Sequence, residues 1–188
     1  MGVSWREALV FVLQAFVHLY VFVLLLRLLL PWMRVSLNNP LTQAILRATS
    51  PVVVPLRRLL PPVGRVDTAT VIVAYAIEYL LTLVIVVIVN LPILMVNVSV
   101  TALVRLLVLG LWLYIIAIII RVILSWTGGG QYNPAMDFVE ALAEPALRPF
   151  RRIIRPAGGF DFSAFIAIVL LIALTILVGG LKMYPRPL

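Results

Sequence analysis

The sequence has no cysteine, one histidine and few charged residues, which make up 12% of the chain. Without cysteine there is no disulfide framework, no thiolate nucleophile and no thiolate-ligated zinc, and thiol usage says nothing about redox compartment. A lone histidine argues against an all-protein zinc site. Gly128, Gly129 and Gly130 lack the lysine and the serine or threonine that complete a phosphate-cradling loop. No carboxylate pair and no Ser/His/Asp set shares an aqueous site, and Ser125 and Ser163 have no histidine nearby in the sequence. The chain is therefore expected to be no enzyme and to hold no cofactor or metal.

Soluble domains carry about a quarter charged residues. This chain is instead 64% apolar with a mean hydropathy of +1.17, the composition of an integral membrane protein. Four apolar stretches meet the length of ~20 residues that a ~30 Å hydrocarbon core demands: Ala8–Leu30, Thr70–Leu91, Leu103–Leu124 and Phe162–Gly180. Each is predicted to be a helix, because lipid offers no partner to an unpaired backbone amide. The first is too long for a signal peptide, is flanked by Arg6 and Glu7 and has no small-residue cleavage site after it, so it reads as a retained span. The predicted class is an all-α membrane protein with four transmembrane helices.

Of the fifteen Lys+Arg, Arg34, Arg47, Arg57, Arg58 and Arg65 lie between the first two spans, with no acid from Arg34 to Arg65. Arg148, Arg151, Arg152 and Arg155 lie between the last two, partly offset by Asp137, Glu140 and Glu144. The turn from Pro92 to Thr101 has no basic residue. Basic loops stay in the cytoplasm, so both long connections are expected there and both termini outside, although Lys182 and Arg186 count slightly against this. The formal charge of +8 sits beside membrane spans, where it serves topology and anionic lipid better than nucleic acid.

The two halves align at an offset of 94 residues: Arg27 falls on Arg121, Trp32 on Trp126, Asn39 on Asn133 and Pro40 on Pro134. The units, residues 1–96 and 97–188, are each a span, a surface segment and a return span, hence parallel repeats. Asn39 and Asn133 are N-caps with proline at the first helical position, predicting short surface helices over Pro40–Thr49 and Pro134–Ala143. In the second, Ala135, Phe138, Val139 and Leu142 share one face, and Trp32 and Trp126 are expected to anchor the preceding spans. The pattern PxxxPxRRxxxPxGxxD follows in both units. It comprises Pro51, Pro55, Arg57, Arg58, Pro62, Gly64 and Asp67, then Pro145, Pro149, Arg151, Arg152, Pro156, Gly158 and Asp161. The prolines are expected to stop regular helix, the glycines to allow a tight turn and the aspartates to cap the return spans. The Arg pairs are either plain topology anchors or a docking surface in which guanidinium grips lipid phosphate or a membrane-protein partner.

These repeated residues resemble the YggT family, also called YlmG, most closely at Arg121, Ser125, Trp126, Asn133, Pro134, Pro145, Pro149, Arg151, Arg152, Pro156, Gly158, Asp161 and Ser163. The first unit departs from it with Pro31 in place of Ser125 and Ala69 in place of Ser163. The resemblance implies a bacterial cytoplasmic-membrane protein linked to osmotic or ionic stress and, in other lineages, to cell division and assembly of membrane complexes. It brings no agreed biochemical activity.

Ionisable residues inside a span are costly and point to function. Glu78 lies roughly 15 Å, and His18 roughly 20 Å, below the surface bearing the motifs, at ~1.5 Å per residue, so the two are able to face each other. Arg27, Arg121 and Arg105 are expected to snorkel to headgroups, the alternative being that Arg27 or Arg121 reaches Glu78. Two functional classes follow. One is a non-catalytic scaffold or assembly factor docking anionic lipid or partners through Arg57, Arg58, Arg151 and Arg152. The other is an oligomeric ion channel or transporter with Glu78 in its path. Ser163 and Ala167 provide the small-residue spacing for a homo-oligomer.

Overall fold

The computed structural model describes residues 5–33, 35–127, 133–153 and 162–184. Six helices follow in order: α1 (Trp5–Leu29), α2 (Pro40–Arg57), α3 (Thr68–Ile88), α4 (Met95–Thr127), α5 (Pro134–Ile153) and α6 (Phe162–Gly179). A short 3₁₀ turn, Leu30–Trp32, ends α1. Four of the helices, α1, α3, α4 and α6, are long and apolar enough to cross a membrane. The described residues contain no β-strand beyond one isolated bridge.

Within each unit the span pairs with its return span, α1 with α3 and α4 with α6, while α4 also packs on α1, α3 and α5. The largest core cluster joins Val21 and Leu25 of α1 to Leu113 and Ile118 of α4 and to Leu142 and Leu147 of α5. Phe11, Phe16, Val87, Phe165 and Leu177 lie on the outside of the bundle, where hydrocarbon replaces water as the surrounding medium. Ser163 and Ala167, expected to serve contacts between subunits, are buried inside the chain instead. Small side chains there let α6 approach its neighbours closely.

The third span starts eight residues earlier than the apolar run suggests, at Met95 rather than Leu103, which puts the boundary at residue 96 inside α4. At 33 residues α4 is ~50 Å long, well beyond the hydrocarbon thickness. Its start follows a closed turn. Asn90 adopts φ 56, and Leu91 N–H donates to Val86 O at 3.0 Å while Asn90 N–H donates to Val87 O at 3.2 Å. This is the Schellman closure, with Asn at the left-handed position and Pro92 beyond it to keep the helix from resuming.

The prolines do not end the surface helices as expected. α2 continues through Pro51 and Pro55 to Arg57, and α5 through Pro145 and Pro149 to Ile153. Each pair is four residues apart, and all four prolines lie on the exposed face of their helix. The carbonyls that lose their donors therefore point outward, where other donors reach them, and the buried face keeps its regular ladder. Thr49 and Ser50, just before Pro51, donate their hydroxyls to Ile45 O and Leu46 O. Such back-bonding bends a helix without breaking it.

Both caps form as the sequence indicates: Leu41 N–H donates to Asn39 Oδ1 and Ala135 N–H to Asn133 Oδ1, each at 2.9 Å. Asn39 does more, donating Nδ2–H to Pro134 O at 2.8 Å and so tying the two surface helices together. Gly64 takes φ 61 in a turn closed by reciprocal bonds between Val63 and Val66, the arrangement of a type II′ turn that places glycine first.

Candidate functional site

The first proline–arginine segment is built around one carboxylate. Asp67 stands at the N-cap position of α3, yet its side chain makes no capping bond. Its Oδ2 instead accepts from Arg57 Nη2 at 2.7 Å and from Thr70 Oγ1 at 2.9 Å, and Arg27 Nε lies 3.6 Å away. The expected cap is thus corrected: two guanidinium groups bind a carboxylate more strongly than a neutral amide does. Burial pushes the Asp67 carboxyl up, but the bonds from Thr70 and Arg57 and the charges of Arg57 and Arg27 outweigh it and hold the group below the usual carboxylate range.

Arg27 does not snorkel. It is 5% exposed and donates Nη1–H to Thr49 Oγ1 at 2.8 Å and to Ser50 Oγ at 3.3 Å. Its reach is toward α2 and Asp67, so it does not meet Glu78. Polar partners inside the bundle displace the headgroups that an isolated helix would offer it. Pro62 and Gly64 carry the chain from α2 to this carboxylate, and Arg65 lies over the exposed Trp32 ring at 5.9 Å.

Only part of the second segment lies within the described residues. Arg121 approaches Glu140 at 3.5 Å and Arg151 approaches Glu144 at 3.3 Å. Pro156, Gly158 and Asp161 lie outside the described residues. Within the two Arg pairs, Arg57 and Arg151 are paired with carboxylates, Arg57 remains exposed, and Arg58 and Arg152 are exposed as well. Asp137, Glu140 and Glu144 also line an open cleft of about 530 Å³ beside Asn39 and Ser36.

Midway along α3, Glu78 is completely buried and His18 Nε2 lies 3.6 Å from its Oε1. The pair does face as its depth suggests. Arg105 is buried as well, 8% exposed, and does not snorkel. Its charge and that of Lys182 both act on Glu78. Sequence reasoning missed Thr49 and Thr70 as partners of the motif, and Lys182 as a neighbour of Glu78. A hydroxyl three residues after Asp67 is a weak local signal for Thr70, whereas nothing local marks Thr49 or Lys182. Among the described residues, no group of three or more His, Cys, Asp or Glu is placed to hold a metal ion.

The arrangement defines a multi-pass helical membrane protein of two tandem units, each with an arginine–proline helix on its surface. The chain belongs to the CCB3/YggT family, whose model matches it twice, over residues 6–88 and 100–182. It is similar to the uncharacterized protein PA0392 of Pseudomonas aeruginosa, 36% identical over 93% of this chain and 91% of the relative. It is also similar to the uncharacterized protein YggT of Escherichia coli, 34% identical over 88% of this chain and 86% of the relative. An uncharacterized Haemophilus influenzae protein is 30% identical over 88% of this chain and 90% of its own length. No solved structure matches the chain.

Proposed function

We propose that the protein is a non-enzymatic scaffold of the bacterial cytoplasmic membrane whose surface helices dock anionic lipid headgroups, serving envelope or osmotic-stress homeostasis. The observation that carries this reading is the division of labour within each Arg pair. Arg57 bonds the buried Asp67 and Arg151 meets the exposed Glu144, and Arg58 and Arg152 beside them are exposed. A charge held on a braced helix loses less freedom on binding phosphate than one on a free loop.

The orientation follows from the same residues: the arginine-rich connections face the cytoplasm, and both termini face outward. α2 and α5 lie in the headgroup region as amphipathic elements, with Phe138 and Leu142 inward and Asp137, Glu140 and Glu144 outward. Lipid held there organises a membrane-protein partner or a second copy of the chain. A cation path past Glu78 gains no support, since the carboxyl is enclosed and Arg105 and Lys182 offset its charge.

The test is to replace Arg58 and Arg152 by Gln and measure the anionic phospholipid retained per protein by native mass spectrometry after gentle detergent extraction. The double variant is expected to retain several-fold less phosphatidylglycerol or cardiolipin at unchanged insertion. Equal retention removes the docking reading.

A further inference from the structure

A second polar cluster lies away from the motifs, toward the α3–α4 turn. Glu78 of α3 is its centre. His18 comes from α1, Arg105 from α4, Lys182 from the segment after α6, and Thr82 from the next turn of α3. Glu78 is 0%, Thr82 1% and Arg105 8% exposed. Tyr75 and Tyr79 of α3 are engaged elsewhere, with Ser99 O and the Met95 sulfur.

Both Glu78 oxygens, His18 Nε2, Thr82 Oγ1 and Arg105 Nη1 are buried without a hydrogen-bond partner among the described residues. The separation of 3.6 Å between His18 and Glu78 is too long for a hydrogen bond. An apolar bundle rarely leaves so many polar atoms unmet in one place. The set combines carboxylate acceptors, a guanidinium donor, a hydroxyl and an imidazole, and so supplies the two to four partners that hold a buried water.

The chain end fastens down over this region. Met183 N–H donates to Thr101 Oγ1 at 3.3 Å, Tyr184 Oη–H donates to Pro92 O at 2.8 Å, and Leu94 N–H donates to Tyr184 Oη at 3.1 Å. Lys182 is thereby held where its charge acts on both Glu78 and His18. A metal cation entering the cluster meets Arg105 and Lys182, and an anion meets the Glu78 carboxylate. A proton, unlike either, is taken up as a covalent O–H bond on a Glu78 oxygen and needs no ion-sized space.

We propose that Glu78, with His18 beside it, is a hydrated proton-binding site inside the bundle. On uptake a hydronium ion gives its proton to a Glu78 oxygen and leaves as water, an O–H bond forms, and the charge of the cluster rises by one. Arg105 and Lys182 stabilise the ionised carboxylate and so oppose uptake, while Thr82 and Arg105 hold the intervening water.

Infrared difference spectra of the purified full chain between about pH 9 and about pH 5 test this, since ordinary carboxyls change charge below that window and an imidazole has no carboxyl stretch. The expected result is a protonated-carboxyl stretch that shifts in heavy water, disappears in Glu78→Gln and returns at a new frequency in Glu78→Asp. Lys182→Gln removes an opposing charge and is expected to strengthen proton binding about threefold, making the band larger at a given pH. Retention of every carboxyl band in Glu78→Gln overturns the proposal. Should that variant not fold, a spectrum unmoved by both Glu78→Asp and Lys182→Gln overturns it equally.

Discussion

Arg27 of the first span donates to Thr49 of the first surface helix at 2.8 Å, and the same guanidinium lies 3.6 Å from Asp67 at the start of the second span. One buried side chain thus joins all three helices of the first unit. The reason is electrostatic: a guanidinium and a carboxylate removed from water are tolerable only together, with their remaining valences met by hydroxyls and a second arginine.

Removal of Asp67 leaves the buried Arg27 without a counter-charge, whereas removal of Arg27 leaves Asp67 with Arg57 as its partner. Asp67→Asn is expected to lower stability by ~3 kcal/mol, the usual cost of breaking a buried pair, and Arg27→Gln by less, since Asp67 keeps Arg57. The double variant should lose less than the sum, since neither orphan remains. Thermal unfolding of the four proteins in one detergent measures the coupling.

The same carboxyl gives the fold an acid limit. Its native-state pKa lies below its ordinary value, so its contribution is fully present above about pH 4 and is lost as pH falls through the lowered native value. Wild-type unfolding temperature is expected to drop in that acid window, and Asp67→Asn should show a flatter profile there. A parallel decline in both proteins would assign the acid sensitivity to other groups.

Asn39 and Asn133 occupy equivalent positions, but among the described residues only Asn39 bonds the opposite surface helix. Asn39→Asp keeps the capping oxygen and loses the donor to Pro134 O, at an expected cost of ~1 kcal/mol. Asn133→Asp keeps its cap and is expected to change stability by less than about half of that. Unfolding midpoints of the two variants, compared side by side, check the asymmetry.

Ala167 is fully buried where α6 meets the core around Ile118 and Leu147. Ala167→Leu overfills that space and should cost about 1–3 kcal/mol. If the small residue served a contact between copies instead, the substitution would alter the oligomer distribution at unchanged unfolding temperature. Size-exclusion light scattering and thermal unfolding separate the two outcomes.

Much of this architecture was legible before any coordinates. The spans follow from run length, the units from the offset that superposes Arg27 on Arg121, and the Asn39 and Asn133 caps and the Gly64 turn from local backbone chemistry. The surface helices were less legible. Proline removes a donor wherever it occurs, but whether this ends a helix depends on which face the freed carbonyl points to. That face is set by the packing of Ile45, Val53, Leu142 and Leu147 on the bundle.

The amino-acid sequence by itself determined the membrane solvent, the helix count and the duplication, because length, hydropathy and repetition are one-dimensional quantities. It also named Glu78, His18 and the arginines as the residues needing explanation, since each is costly in lipid. Only the tertiary structure decided their partners. Arg27 meets Thr49 22 residues on, and Lys182 acts on Glu78 from the far end of the chain. The distance over which a charge acts is measured through space, and the fold alone sets which distant side chains fall within it.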